Sequence, residues 1–546
     1  MPKKVQIFLP SLLAGVMVLG MIIGLQMQPM VQPQTTQIST EQLMEVIPLG
    51  RGKVEEVIRY IDAKYVEERD REELVEQAIE QLLSQLDPHS SYISAEELRA
   101  VNEQLEGNFE GIGVEFMIVD DTVRVVAALA GGPSEEAGIL PGDRIVMVAD
   151  SVIAGIGIDS EGVVELLRGE EGSEVDIGIL RGKEQQLRHF RLKRARISVH
   201  SVDAAYMLDA QTGYIKVNRF SAHTYQEFME ALERLVEEQG MKHLVLDLRQ
   251  NPGGYLQEAV KMLSQLFPEE DKLLVYTEGD HVSRTEYKST GRAFFDLDKI
   301  VVLIDEGSAS ASEIVAGAIQ DWDRGWIIGR RSFGKGLVQE QYMLRDGSAL
   351  RLTVARYYTP SGRCIQRPYD DPDAYVHEVQ HRYEHGEMLH ADSIELSDTT
   401  HYFTHGGRVV YGGGGIMPDI FVPLDTVQMM GTYIELRQYV PEFVFRYLQT
   451  HRQRFDGMDF DEFAKHFRID EKLTEEFLAF AKGEGVIVDP KDWPVVKPVL
   501  QRLLHARIAR QHYGDEAFYR IWNAHDPVIA KALEVIRTSQ GPLAQQ

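Results

Sequence analysis

Residues 299–320 read "KIVVLIDEGSASASEIVAGAIQ". An apolar, β-branched run gives way to a turn of Gly, Ser and Ala, and the turn to a segment of helical composition. The unbroken run from Ile300 to Ile304 has the pattern of a strand buried on both faces, as in a parallel sheet covered by helices. Its surroundings repeat the alternation. "TGYIKVNRF" and "KHLVLDLRQ" read as strands, "TYQEFMEALERLVEEQ" and "GGYLQEAVKMLSQLF" as helices, and "KLLVYTEG" and "GWIIGR" continue the strand series. The expectation is a mainly parallel α/β core, with any site just beyond the C-terminal ends of its strands. Two Gly-rich connections fall there, "RQNPGGYL" and "DEGSASAS".

The whole chain, 546 residues, has room for three or four domains. With 57 Lys plus Arg against 85 Asp plus Glu its formal charge is −28, which argues against nucleic acid or an anionic lipid surface as the main partner. Cys364 is the single cysteine, so no internal disulfide forms. It sits in the turn-rich "TPSGRCIQRP", with no helix start behind it to make its thiol reactive. At the other end, Lys3 and Lys4 precede the uncharged run Val5–Met27, long enough to cross roughly 30 Å of hydrocarbon. No A-x-A cleavage site follows, so an uncleaved anchor is expected rather than a signal peptide. The lysines place the N-terminus in the cytoplasm and the remainder outside it.

The expected domains are the anchor at 1–27, an N-terminal helical region at 28–106, a small β domain at 107–195, the α/β core at 196–425 and a helical C-terminal extension at 426–546. The core carries an insertion at about 366–408. In the helical region Leu74, Ala78, Leu82 and Leu83 mark one apolar face, and Ser94 with Glu97 forms a capping box after "LDPHSSYIS". The extension shows no chemistry; a homodimer contact is its default use. The small β domain, with "GIGVEF", "PSEEAGILPGDRIVMV" and "LLRGEEGSEVDIGILR", resembles a PDZ domain, most specifically in Ala137, Gly138, Gly142, Asp143 and Ile145. The resemblance implies that backbone N–H groups of Gly111, Ile112 and Gly113 hold a peptide's C-terminal carboxylate while the peptide adds as a strand to the sheet edge.

Three segments compete for the chemistry. "HEVQH" (His377–His381) is a literal HExxH, which on a helix would present two imidazoles to zinc with Glu378 as base. Its helix is polar nearly all round, it lies in the insertion, and His385 and His390 miss the spacing of a third ligand, so a solvated helix is expected. "GRRSFGKG" (Gly329–Gly336) fits a phosphate loop except at its last position, where Gly336 replaces the magnesium-binding Ser or Thr and a strand follows instead of a helix. No metal or other cofactor is called for. The third reading joins a serine of "GSASAS" to Lys335. A serine at a strand–helix junction meets N–H groups that stabilise an oxyanion. Lys335, buried between two glycines, would have its amine pKa lowered enough to take the serine proton. Against this, Ser310 with Glu313 is also a capping box, a purely structural use.

"NPGGYLQEAV", "GSASASEIVAGAIQ", "GRRSFGKGLVQE" and "GGGGIMPDI", with "LDPHSSYIS" ahead of them, resemble the carboxyl-terminal processing peptidases, or tail-specific proteases, across about residues 85–425. The resemblance implies a Ser/Lys endopeptidase acting on protein substrates with free C-terminal tails. It assigns Ser310 as nucleophile, Lys335 as base, Gln339 as the lysine's partner, and Gly253 or Gly254 with Ala311 as the oxyanion donors. Ser308 then falls in the turn and Ser312 within the first helical turn. Arg168, closing "VVELLRG", is the candidate for contacting the catalytic domain and coupling peptide binding to cleavage. The alternatives are a non-catalytic tail-binding scaffold and a zinc peptidase using "HEVQH". The sequence departs from many relatives at Arg330 and Arg331 and in the insertion. One geometric condition attaches to Gln339: on a straight strand it would stand about 13 Å from Lys335, at ~3.3 Å per residue, so the chain has to bend or coil at Gly334 and Gly336.

Overall fold

The computed structural model describes residues 52–184, 186–455, 457–539 and 541. The expected anchor at 1–27 lies outside them, and among the described residues no helix is long and apolar enough to cross a membrane. The chain divides into two compact units, residues 1–79 and 80–546. The first contains α1 (Lys53–Lys64) and most of α2 (Arg71–Leu83), each with two glutamates in its first turn, where the helix dipole favours negative charge.

The second unit starts with β1 (Ser91–Ile93) and α3 (Ala95–Glu106), whose Ser94–Glu97 capping box forms as expected and whose end is closed by Gly107 in the left-handed conformation. The PDZ domain follows. It comprises β2 (Asn108–Gly111), β3 (Val114–Ile118), β4 (Val123–Ala128), α4 (Pro133–Glu136), β5 (Arg144–Val148), β6 (Ser151–Val152), α5 (Ser160–Leu167), β7 (Glu174–Leu180), β8 (Arg188–Lys193) and β9 (Ala195–Ser198). Its antiparallel sheet runs β3-β4-β5-β7-β8 with β3 at one end, while β2 pairs with β9. Val123, Val125, Ile145, Ile177 and Ile179 fill its core. Asp143, buried beside them, takes the Arg181 guanidinium at 2.8 and 2.7 Å, which gives the "GD" pair a structural purpose.

The α/β core contains β10 (Val202–Met207), β11 (Thr212–Val217), α6 (Thr224–Glu233), β12 (His243–Asp247), α7 (Leu256–Leu266), β13 (Glu270–Gly279), β14 (Val282–Thr290), β15 (Lys299–Ile304), α8 (Ala311–Asp321), β16 (Trp326–Gly329), β17 (Leu337–Met343) and β18 (Ala349–Tyr358). The insertion carries α9 (Pro372–Glu384), β19 (Tyr402–Phe403) and β20 (Val409–Val410), and β21 (Ile420–Phe421) closes the domain. One sheet runs β10-β11-β12-β15-β16-β21 and is parallel from β11 to β21, with β10 antiparallel at its edge. "KLLVYTEG" departs from expectation: as part of β13 it belongs to a second, antiparallel sheet with β1, β14, β17 and β18. Thus the serine segment leaves one sheet and the lysine segment enters another.

Alternate side chains of the parallel strands point to opposite faces. Leu244, Leu246, Ile300, Val302 and Ile304 pack under α6, α7 and α8. Val245, Val301, Leu303 and Ile328 face the other way. What covers that second face comes from the far end of the chain. Beyond the core lie α10 (Gly431–His451), α11 (Phe460–His466), α12 (Glu471–Gly483), α13 (Trp493–Tyr513), α14 (Asp515–Asn523) and α15 (Pro527–Thr538). The first four have their own core around Leu436, Phe463, Phe477 and Leu500. α15 instead packs Val528, Ile529, Ala532, Val535 and Ile536 onto β15 and β16, so the end of the expected appendage is a layer of the α/β core. Ile529→Ala is therefore expected to destabilise the whole core by about 2–5 kcal/mol, read as a lower cooperative melting temperature. Loss confined to α10–α13, or no loss, would contradict this layering.

Candidate active site

β15 ends at Ile304, and the chain turns tightly into α8. Asp305 organises the turn: its carboxylate accepts the N–H groups of Gln250, at 2.8 Å, and Gly307, at 3.0 Å. Ser308 is fully buried; its hydroxyl accepts Asp305 N–H and donates to the Leu248 carbonyl at 2.8 Å. Ser312 is equally buried and donates to the Asn251 carbonyl at 2.9 Å. Both hydroxyls thus tie "GSASAS" to the neighbouring "RQNPGG" loop. Ser310 differs. It stands at the head of α8 with φ 54° and ψ −113°, a backbone conformation that a non-glycine residue keeps only under surrounding constraint.

The "NPGG" loop is folded tightly against this serine. A Cβ on Gly253 would lie 2.7 Å from Ser310 Cβ and 2.9 Å from Ala311 N, and one on Gly254 would strike the Phe220 carbonyl at 2.1 Å. Both glycines also have positive φ, 98° and 141°. Gly253 N–H donates to Asn251 Oδ1 at 2.9 Å. Ala311 opens α8, where an N–H has no acceptor within its own helix.

Glu313 joins the serine to the lysine. Its carboxylate, wholly buried, accepts four donors: Ser310 N–H at 2.8 Å, Ser332 Oγ–H, Gly334 N–H at 2.7 Å and Lys335 N–H at 2.9 Å. The capping box read from the sequence is present in its carboxylate half, but it extends well past a helix cap. Burial pushes the Glu313 carboxyl up to about 7, against the opposing pull of those four donors. Lys335 projects from the loop before β17, and its Nζ donates to Gln339 Oε1 at 3.0 Å. A register shift between Val338 and Gln339, on a strand that starts only at Leu337, removes the separation a straight strand would impose. Gln339 Nε2 in turn donates to the His89 carbonyl. Burial lowers the Lys335 amine below the ordinary lysine value, with the Arg351 charge adding to the effect and Asp87 and Glu313 opposing it.

The "LDPHSSYIS" segment therefore has a local task beside Lys335 and Gln339. Asp87 accepts the N–H groups of His89 and Ser90, at 2.8 and 2.9 Å, and the Thr353 hydroxyl, at 3.1 Å, which seats the loop on β18. The His89 ring contacts the Tyr375 hydroxyl at 2.6 Å. Burial, aided by the Lys335 charge, drops its pKa to about 4, so it is a neutral imidazole at neutral pH.

The insertion braces the same loop. Arg331 and Glu387 form a buried bidentate pair at 2.7 Å, and Arg382 donates to the Ser332 carbonyl at 2.8 Å. Arg367 lies 3.9 Å from the ring centres of both Phe333 and Tyr375. "HEVQH" belongs to this brace: Glu378 is shared among Arg331, Arg367 and Arg382, while His377 and His381 are exposed. The expected solvated helix is thus half right, since Arg382 on it is buried. Arg330, which also departs from relatives, pairs with Glu306 at 2.8 Å.

Arg168 requires a correction. It reaches Glu103 of α3 at 2.8 Å and lies over Phe109, instead of touching the catalytic core. α3 itself rests on that core: Leu98 and Val101 pack with Ala349 of β18, Asn102 accepts Gln341 Nε2–H at 3.2 Å, and the Leu105 carbonyl accepts Ala222 N–H at 3.2 Å. In the PDZ domain Gly111 ends β2, Ile112 and Gly113 connect it to the terminal strand β3, and Ile112 is buried with its carbonyl taken by Ser134.

A PDZ domain joined to an α/β peptidase core and a helical C-terminus is the class of protein these features define. Residues 211–376 match Peptidase family S41, residues 124–181 a PDZ domain, residues 16–97 the activating protease CtpB N-terminal domain and residues 432–514 a family of unknown function. The carboxy-terminal processing protease CtpB of Bacillus subtilis is 34% identical, over 65% of this chain and 73% of its own length. A probable CtpA-like serine protease of Staphylococcus aureus is 36% identical over 60% of this chain, and the match spans 64% of that relative's length. A solved photosystem II D1 C-terminal processing protease, 33% identical, covers 56% of this chain and 82% of its own, with a TM-score of 0.32. The chain belongs to the carboxy-terminal processing protease family.

Burial favours the protonated form of Glu313, so its contribution to stability is largest below the ordinary value of 4.5 and is lost as pH rises towards 7. Relative to Glu313→Gln, the wild type should lose up to about 3 kcal/mol between pH 4.5 and pH 7. Paired denaturant titrations measure this; a difference that does not change with pH would contradict the assignment.

Proposed function

We propose that this protein is a serine endopeptidase that captures the C-terminal tail of a protein substrate on its PDZ domain and cleaves with Ser310 as nucleophile and Lys335 as general base. The observation that carries the reading is the Lys335 amine itself: buried, lowered in pKa and held by Gln339, on a loop fixed through Glu313 to the backbone of Ser310. In this mechanism neutral Lys335 takes the Ser310 proton as Oγ attacks the scissile carbonyl. The Ala311 and Gly254 N–H groups receive the oxyanion, with Gly253 joining them if it leaves Asn251. Lys335 returns the proton to the leaving amine, and the same base then activates water to release the acyl group. Gln339 keeps the amine's lone pair directed at the serine.

The tail's carboxylate is proposed to meet the N–H groups of the Gly111–Ile112–Gly113 loop, its backbone pairing with β3. Arg168 would pass tail binding to the core through Glu103 and α3. Residues 5–27 would anchor the protein in the inner membrane of a bacterial envelope, facing the periplasm or exterior, with a homodimer as its expected assembly.

Cleavage of a tail-bearing substrate decides the central claim. Ser310→Ala and Lys335→Ala should each abolish it, with or without a chelator, and Gln339→Ala should lower kcat by about tenfold or more. Activity surviving in Ser310→Ala would sink the reading; loss with chelator alone would favour the zinc alternative. A wild type that binds tails but never cleaves them would be a scaffold. A second measurement concerns pH: kcat should rise as Lys335 loses its proton, with its acid limb below the ordinary lysine value of 10.5. Amidating the substrate's C-terminus should raise KM and leave the chemistry at Ser310 intact.

A further inference from the structure

Tyr357 stands near the end of β18, in "RYYTPSG", a stretch without a part in the mechanism above. It is 1% exposed, so water does not compete for its hydroxyl. Its N–H donates to the Gly336 carbonyl at 3.0 Å. Its phenol lies within hydrogen-bonding reach of two further carbonyls, that of Lys335 and, at 3.1 Å, that of Ser310. The single phenolic proton is shared between them. Glu313 is the complement of this arrangement, because one carboxylate oxygen accepts the N–H groups of the same two residues, at 2.8 and 2.9 Å.

Ser310 and Lys335 are thus each held at both ends of their own backbone: the N–H by a carboxylate, the C=O by a phenol. Both residues need such restraint. Ser310 sits in a strained conformation, and Lys335 lies between two glycines in a loop outside either sheet. Burial, followed by the nearby Glu313 charge, keeps the phenol protonated well above the usual tyrosine range, so it remains a donor throughout any working pH.

We propose that Tyr357 is a positioning residue for the cleavage reaction: its hydroxyl bridges the carbonyls of Ser310 and Lys335 and, opposite Glu313, sets the separation of the two reacting side chains. The inference rests on the Ser310/Lys335 reading and adds to it an element that touches neither substrate nor reacting atom.

The test compares wild type, Tyr357→Phe and a variant with 4-aminophenylalanine at 357, which keeps the ring and a donor. All are assayed well below the melting temperature of the least stable one, so that the folded fraction is equal. Misplacing the pair should lower kcat of Tyr357→Phe by about tenfold to a hundredfold, with KM changed by less than about twofold. Its acid limb in kcat should move up towards the ordinary lysine value as Lys335 relaxes towards solvent. The 4-aminophenylalanine variant should regain most of the rate. Wild-type kcat and an unmoved limb in Tyr357→Phe would overturn the proposal, as would equal losses in both variants. Ser310→Ala is run alongside: activity remaining there would defeat the dyad, whereas an inactive Ser310→Ala with an unimpaired Tyr357→Phe would defeat only the role of Tyr357.

Discussion

The buried Glu313 carboxylate is the interaction on which the arrangement depends. A carboxylate with no solvent would be costly to bury alone, and here it is supported by four hydrogen-bond donors from two chain segments. Those segments come from different sheets: Ser310 follows β15 of the parallel sheet, while Lys335 precedes β17 of the antiparallel one. The carboxylate is therefore a seam between two layers that share no strand. Beside it the two loops are joined by Phe333 N–H to the Ser308 carbonyl at 2.9 Å, by the Arg330–Glu306 pair and by the Tyr357 hydroxyl.

Around that seam many buried polar groups are bonded to the backbone of the site. Ser308, Ser312, Asn251 and Asp305 lock the two connections at the end of the parallel sheet. Arg331, Arg367 and Arg382, with Glu378 and Glu387, hold the lysine loop from the insertion side. Removing one member of such a network leaves its partners buried and unpaired, which is why polar networks of this kind give rigidity as well as cost. Behind the site the parallel sheet is a conventional sandwiched layer, with the distinction that one of its covers, α15, is supplied by the end of the chain.

The strands of the core were legible because buried parallel strands carry unbroken apolar runs, and "KIVVLID" and "KHLVLDLRQ" have no other good reading. The sheet that holds "KLLVYTEG" is not legible, because an apolar run announces a strand but not its sheet or direction. The PDZ domain and the SxxE box could be read locally. The reach of Glu313 to Gly334 and Lys335 could not, since a capping box explains the same residue with three positions of sequence. The brace was hidden for a similar reason: on a helical wheel α9 looks polar, and only the loop above it turns Arg382 into a buried residue. Likewise the role of α15 is invisible to periodicity, which identifies an apolar face but not the surface that receives it.

Gln339 has a consequence for the order in which the molecule is completed. Its carbonyl oxygen meets Lys335 four positions away, but its amide nitrogen is oriented by His89, 250 positions earlier in the chain. His89 also meets Tyr375 of the insertion. Contacts of such separation require closing very large loops, and their entropy cost places them late among folding events. The local turn at Ser310 can form early, yet Gln339 beside Lys335 is oriented only after the beginning of the unit has docked on β18 and the insertion has folded back. A nascent or half-folded copy thus holds every one of these residues without the geometry that brings them together.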